Sequence, residues 1–167
     1  MDLSFSYIIS QVLVVVYYII YISTYHLKDN NKILKFGIIA TIISAISYIF
    51  LNAYTGIAMC IVAIIRNLLF TKNKKNTRNL IIIIILTILS SILTFDSYFC
   101  LFNIVATIIY TYALWQKNTK IYKLLGIIVN GLMIIYNVYI KSILGIILMA
   151  ISFTNSIIGY LREIRNK

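Results

Sequence analysis

The sequence predicts an all-α membrane protein of seven transmembrane helices, arranged 3+1+3 as two parallel three-helix repeats, with the N-terminus outside and the C-terminus cytoplasmic. Three observations lead there. Of the 167 residues, 62% are hydrophobic and only 11% are charged, against roughly 45–50% and about 25% in soluble domains. Apolar residues fill nearly every segment, which one soluble core cannot hide and a bilayer can. The basic residues fall in alternate gaps between the apolar runs, which sets the orientation.

The runs are Phe5–Thr24, Leu34–Leu51, Thr55–Thr71, Leu80–Thr94, Phe99–Trp115, Tyr122–Val138 and Ser142–Leu161. Each is about 15–20 residues long, at or just below the ~20 of a typical spanning helix. The first lacks a basic leader and a small-residue cleavage site, so it reads as a retained helix. The second ends on Asn52, and the third carries Arg66 and Asn67. The fourth, the shortest, opens on Leu80-Ile81-Ile82-Ile83-Ile84-Ile85-Leu86 with no glycine, aromatic or charge, as a lipid-facing linker helix would. The fifth brings Asn103 and Tyr110, the sixth Asn130 and Asn137, and the seventh Asn155. No proline and no long Gly/Ser-rich linker interrupts them. The expected organisation is one membrane domain over 1–167, with units at 5–71 and 97–162 and a linker helix at 80–94.

Charge placement checks the count. Lys28, Lys32 and Lys35 follow the first run; Lys72, Lys74, Lys75 and Arg78 follow the third. Lys117, Lys120 and Lys123 follow the fifth, and Arg162, Arg165 and Lys167 follow the seventh. The other side has Lys141 beside Asp2 and Asp96, and Arg66 lies inside the third run. The positive-inside rule places the four basic clusters in the cytoplasm. The net charge of +11 is then explained by short loops touching anionic headgroups, and no nucleic-acid partner is expected.

The first and last three runs resemble each other. Ser6-Tyr7 pairs with Ser97-Tyr98, and Lys32-Ile33-Leu34-Lys35 with Lys120-Ile121-Tyr122-Lys123. Asn52-Ala53-Tyr54 pairs with Asn137-Val138-Tyr139, and Asn67 with Asn155, at separations of 91, 88, 85 and 88. Two units joined by an odd helix are parallel, related by an axis along the membrane normal.

Polar side chains inside spans are costly without partners and so are the candidate functional residues. The expected solute-binding set is Asn67, Asn155, Gln11, Asn103, Asn52, Asn137, Arg66, Tyr18 and Tyr110. Amides both donate and accept, which suits an uncharged polar solute, and Asn67 and Asn155 should face each other across the repeat axis. The alternative role for amides is interhelical bonding, at about 0.6–2 kcal/mol each. Arg66 either grips an anionic group or a carbonyl, or snorkels to the inner headgroups; snorkelling is favoured because Lys72 is close. Tyr17, Tyr18, Tyr21, Tyr110 and Tyr112 are placed to line a cavity. Tyr25, Tyr54, Tyr139, Tyr160 and Trp115 read as interfacial anchors. Cys60 and Cys100 read as small buried residues, and Gly37, Gly126 and Gly145 as points of close helix approach.

Tyr54-Thr55-Gly56 through Arg66-Asn67, then Ile135-Tyr136-Asn137, Ser142, Gly145 and Asn155 to Arg162, resemble the YgjV-type bacterial inner-membrane proteins over nearly the whole chain. That family is distantly similar to the MtN3/PQ-loop group, which includes the SWEET sugar facilitators and the KDEL receptor. The resemblance implies a 3+1+3 arrangement with the N-terminus outside. Ser10-Gln11 and Phe102-Asn103 stand where that group has Pro-Gln pairs, so an amide is kept without the proline hinge. Met149 stands near a place where the family often has an acid.

A small facilitator in the bacterial inner membrane follows, moving an uncharged polar solute such as a sugar by alternating access. The bilayer and a small polar solute are its expected partners. No cofactor, metal or enzymatic activity is expected: His26 stands alone, no nucleophile has an intramembrane base, and no phosphate-binding glycine loop is present. Asp2, Asp29, Asp96 and Glu163 lie near loops or ends, leaving no intramembrane carboxylate for proton coupling. The alternatives are a non-transporting receptor, assembly or immunity protein, or the substrate-binding subunit of an ATP-driven importer. No GxxxG spacing marks a dimer face.

Overall fold

The computed structural model describes residues 5–72, 76–116 and 118–165. Asp2, Lys74, Lys75, Lys117 and Lys167 of the charge pattern lie outside them. Among the described residues there are seven helices and no strand: α1 (Phe5–Thr24), α2 (Asn30–Phe50), α3 (Tyr54–Lys72), α4 (Thr77–Leu93), α5 (Cys100–Trp115), α6 (Thr119–Tyr139) and α7 (Ile143–Arg165). Five are long and apolar enough to cross a membrane by length and composition; α4 and α5 are apolar but shorter. At 17 and 16 residues they reach about 24–26 Å at 1.5 Å per residue.

The even-numbered helices begin earlier than their apolar runs because each has a polar cap. Asp29, Asn76 and Asn118 accept from the backbone N–H two residues on, each at 2.9 Å. These bonds satisfy first-turn donors and carry the helices through polar residues that hydropathy assigns to loops. Lys32, Lys35, Arg78, Lys120 and Lys123 are therefore helical.

α2 and α6 also end alike. Asn52 and Lys141 have φ of 52° and 57°, the positive-φ non-glycine residues among those described. Ala53 N–H donates to the Tyr48 carbonyl, and Ser142 N–H to the Asn137 carbonyl, each at 3.0 Å. Both ends are six-to-one Schellman closures. Asp29 and Asn118, Asn52 and Lys141, and Gly37 and Gly126 are all 89 residues apart. The sequence pairings, which wandered between 85 and 91, thus give way to one register. In that register Asn67 corresponds to Ser156, and Asn155 corresponds to Arg66.

Packing follows chain order around a ring. α1 lies on α2, α2 on α3, α3 on α5, α5 on α6, α6 on α7, and α7 closes on α1. α4 packs against α3 and α5. The exterior is apolar: Phe5, Ile8, Val12 and Ile19 of α1, and Ile81, Ile85, Ile88 and Ile92 of α4, are exposed. The interior holds Ser10, Ser47, Asn67, Asn130, Ser152 and Ser156, all buried. A polar inside and an apolar outside suit a lipid solvent, where apolar surface gains nothing by packing inward. The buried hydroxyls are mostly satisfied within their own helices, as Thr111 is by the Thr107 carbonyl at 2.7 Å and Ser152 by that of Leu148 at 3.0 Å.

Candidate functional site: a cavity on the ring axis

The ring encloses a cavity of about 100 Å³ to which all six of its helices contribute. A water needs ~10–15 Å³ on this measure, so several waters or a solute of a few heavy atoms can enter. Met59, Cys60, Met133 and Met149 form apolar walls, and Thr41, Ser44 and Thr107 interrupt them with hydroxyls. The remaining polar lining comes from Tyr17 and Tyr21 of α1, Tyr48 of α2, Arg66 and Asn67 of α3, and Asn103 and Tyr110 of α5.

Arg66 does not snorkel. It is 2% exposed, its Nε donates to Asn67 Oδ1 at 3.0 Å, and its Nη1 donates to Thr111 Oγ1 at 3.2 Å. Its Cζ lies 4.9 Å from the centroid of the Tyr110 ring, a cation–π geometry. Helix phase explains the inward turn: Arg66 shares the buried face of α3 with Met59, Val62 and Phe70, spaced three or four residues apart. No acid is paired with it, since the ion pair among the described residues is Lys123–Glu163.

The donors around the cavity are incompletely used. Arg66 Nη2 and Asn67 Nδ2 make no hydrogen bond with a described residue. Asn103 is 3% exposed, and its Nδ2, beside the Tyr136 hydroxyl, is buried without a hydrogen bond of normal geometry. An orphaned buried donor costs about 1–3 kcal/mol. Asn103 lies seven residues before Tyr110 on α5, so about 10 Å separates them along the axis.

Beside Tyr21 and Tyr110 the axis is filled. Tyr21 and Tyr25 hydroxyls are hydrogen-bonded to each other at 2.7 Å, and both lie within reach of Asn130 Oδ1, at 3.2 and 3.4 Å, which accepts the proton their own bond leaves free. Asn130 Nδ2 reaches Tyr25 OH at 3.1 Å and Ser156 Oγ at 3.4 Å. Tyr122 OH joins Thr24 Oγ1 at 2.8 Å and Tyr110 OH at 3.1 Å. Tyr25, expected as an interfacial anchor, is fully buried in this cluster; its ring stacks on Tyr122.

Of the nine expected solute-binding residues, Arg66, Asn67, Asn103 and Tyr110 line the cavity. The other five do not. Gln11 is buried at the α1–α7 seam, where its Oε1 accepts from Leu144 N–H at 3.1 Å and satisfies a first-turn donor of α7. Asn137 donates to the Met133 carbonyl at 2.8 Å, Tyr18 is buried in the core, and Asn52 occupies the left-handed position after α2. Asn155 does not face Asn67: it is half-buried and donates back to the Ile151 carbonyl at 3.0 Å, while Ser156 beside it turns inward. Tyr112, another expected lining residue, is exposed. Thr111 carries no charge or motif, and Tyr122 belongs to the repeated Lys120–Lys123 stretch, which marks a helix start and not a place beside the cavity.

A lipid-exposed helical bundle with a polar cavity on its axis defines the class: a polytopic membrane protein. The chain belongs to the Imp-YgjV family of bacterial inner membrane proteins, whose family model matches residues 8–167. Neither curated proteins nor solved structures give a significant match.

Proposed function

We propose that this inner membrane protein is a small solute facilitator, working by alternating access between the units α1–α3 and α5–α7, with α4 as a linker. All seven helices then span the bilayer, the short α4 and α5 being accommodated by local thinning. The N-terminus lies outside and the basic helix ends lie in the cytoplasm. The single 89-residue register of caps, chain reversals and glycines supports a parallel repeat. The ring order supports it too, because a two-fold rotation carries the α3–α5 seam onto the α7–α1 seam.

The observation that carries the reading is the axial cavity with an orphaned buried amide, Asn103, in its wall. Interhelical glue satisfies its own hydrogen bonds, whereas a binding site leaves donors for its solute. The uncharged solute expected from sequence rested on the amides; a buried Arg66 in the lining adds a place for an anionic group. Purified protein in liposomes, tested with labelled sugars, nucleosides and small carboxylic acids, should accelerate the flux of at least one class. No flux across the panel would sink the reading.

A further inference from the structure

We propose that the cavity binds a small organic monoanion, a monocarboxylate, with its carboxylate on Arg66 and Asn67 and its body directed along the axis toward Asn103. This rests on the axial cavity being the solute site. Three unused donors stand there, Arg66 Nη2, Asn67 Nδ2 and Asn103 Nδ2, and the groups able to accept, Asn103 Oδ1 and the hydroxyls of Tyr17 and Ser44, are neutral. Asn67 Oδ1 is already taken by Arg66. A carboxylate is acceptor-only and matches such a set. Charge points the same way, because a guanidinium this deeply buried without an acid is compensated only by the ring of Tyr110 and two neutral oxygens. An anion beside it gains in this low-dielectric place what no neutral isostere gains.

The count of charges selects among anions. One guanidinium neutralises one negative charge, so a phosphate dianion would bring an uncompensated charge into the membrane interior. The walls of Met59, Cys60 and Met149 suit a short apolar body. The second polar contact, Asn103, suits a hydroxyl or carbonyl at its far end.

Straight-chain monocarboxylates of three to six carbons, their primary amides and inorganic phosphate are titrated into wild-type protein and into R66Q and R66K. Binding is read by calorimetry, and charge movement by currents on solid-supported proteoliposomes, where passive leak of the neutral acid is silent. The acids should bind wild type at least tenfold more tightly than the amides or phosphate. R66Q should erase that preference, and R66K should retain part of it. Amides binding as tightly as acids, or phosphate binding better, overturns the monocarboxylate while leaving the cavity a solute site. An unchanged acid preference in folded R66Q overturns it too. Acid binding without current in any preparation supports the anion site and sinks the facilitator. If neither acids nor amides bind, while a sugar or nucleoside is moved, the anion site alone fails.

Discussion

At Asn103 stability and binding pull in opposite directions. Its buried Nδ2 lacks a hydrogen bond of normal geometry, so the empty protein carries a cost that a solute would relieve. Asn103→Leu should raise the melting temperature of the empty protein, by the equivalent of about 1 kcal/mol. It should also shrink the stabilisation that any bound solute confers; an unaltered solute-induced shift would detach Asn103 from binding. Lys141 carries a different strain, a side chain at φ 57°, which costs roughly 1–2 kcal/mol for an L residue. Lys141→Gly should give a net gain of about 0.5–1 kcal/mol, after the added freedom of the unfolded chain; thermal melts in detergent measure it.

Residue identity was legible at this scale, and facing was not. Arg66, Asn67 and Asn103 stand out in any reading of the chain as polar groups within apolar runs. Which way they turn depends on helix phase, and one residue of misregister rotates a side chain by about 100°. That is the difference between Asn155 and Ser156. Nothing corrected it beforehand, because apolar residues sit on both faces of α7, Met149 buried and Ile147, Ile151 and Ile158 exposed, so hydropathy marks no inner face.

Tyr25, just past the end of α1, meets α6 at Gly126, where a Cβ would come within 2.8 Å of its ring. That ring cannot swing away, held by its stack on Tyr122 and its bonds to Tyr21 and Asn130. Gly126→Ala should cost about 1–3 kcal/mol by overpacking. Gly131→Ala on the same helix is the control: its Cβ would meet nothing closer than 3.9 Å, so the better helix propensity of alanine should give a gain of about 0.5–1 kcal/mol. Equal effects in thermal melts would refute the packing argument.

The start of α6 is tied to the end of α7, beyond the apolar run that closes at Leu161. Lys123 Nζ lies 2.6 Å from Glu163 Oε2, and Thr119 donates to Oε1 at 3.1 Å. The lysine hydrogen bond holds the Glu163 carboxyl below its usual value. A lowered acid contributes stability in full above its unfolded value, and that contribution fades as pH falls through the lowered one. Wild type should therefore lose stability below about pH 4 more steeply than Glu163→Gln. At neutral pH the variant should be weaker by about 1–3 kcal/mol, because Lys123 is left buried and alone. The elements themselves were largely readable; their capped first turns were not, since Asp29, Asn76 and Asn118 carry each helix into residues that look like loop.

For the molecule as a whole, the proposed parallel arrangement makes α4 decide topology. Joining α3 to α5 through a short loop would force the second unit to insert upside down, carrying Arg162 and Arg165 outward. A C-terminal reporter should thus read cytoplasmic in the intact chain. With α4 deleted it should switch sides or be lost with the protein. An unchanged cytoplasmic signal from stable, α4-deleted protein would refute the parallel arrangement.

The position of α4 also breaks the equivalence of the two seams. It straps α3 to α5, so the joint it covers resembles a spine and the opposite joint a fore-edge. In the proposed cycle, with no proline to bend the helices, the halves would rock as stiff covers. Opening should then be widest along α1 and α7. A disulfide bridging those two helices should arrest movement of the solute, while one between α3 and α5 should leave it nearly free.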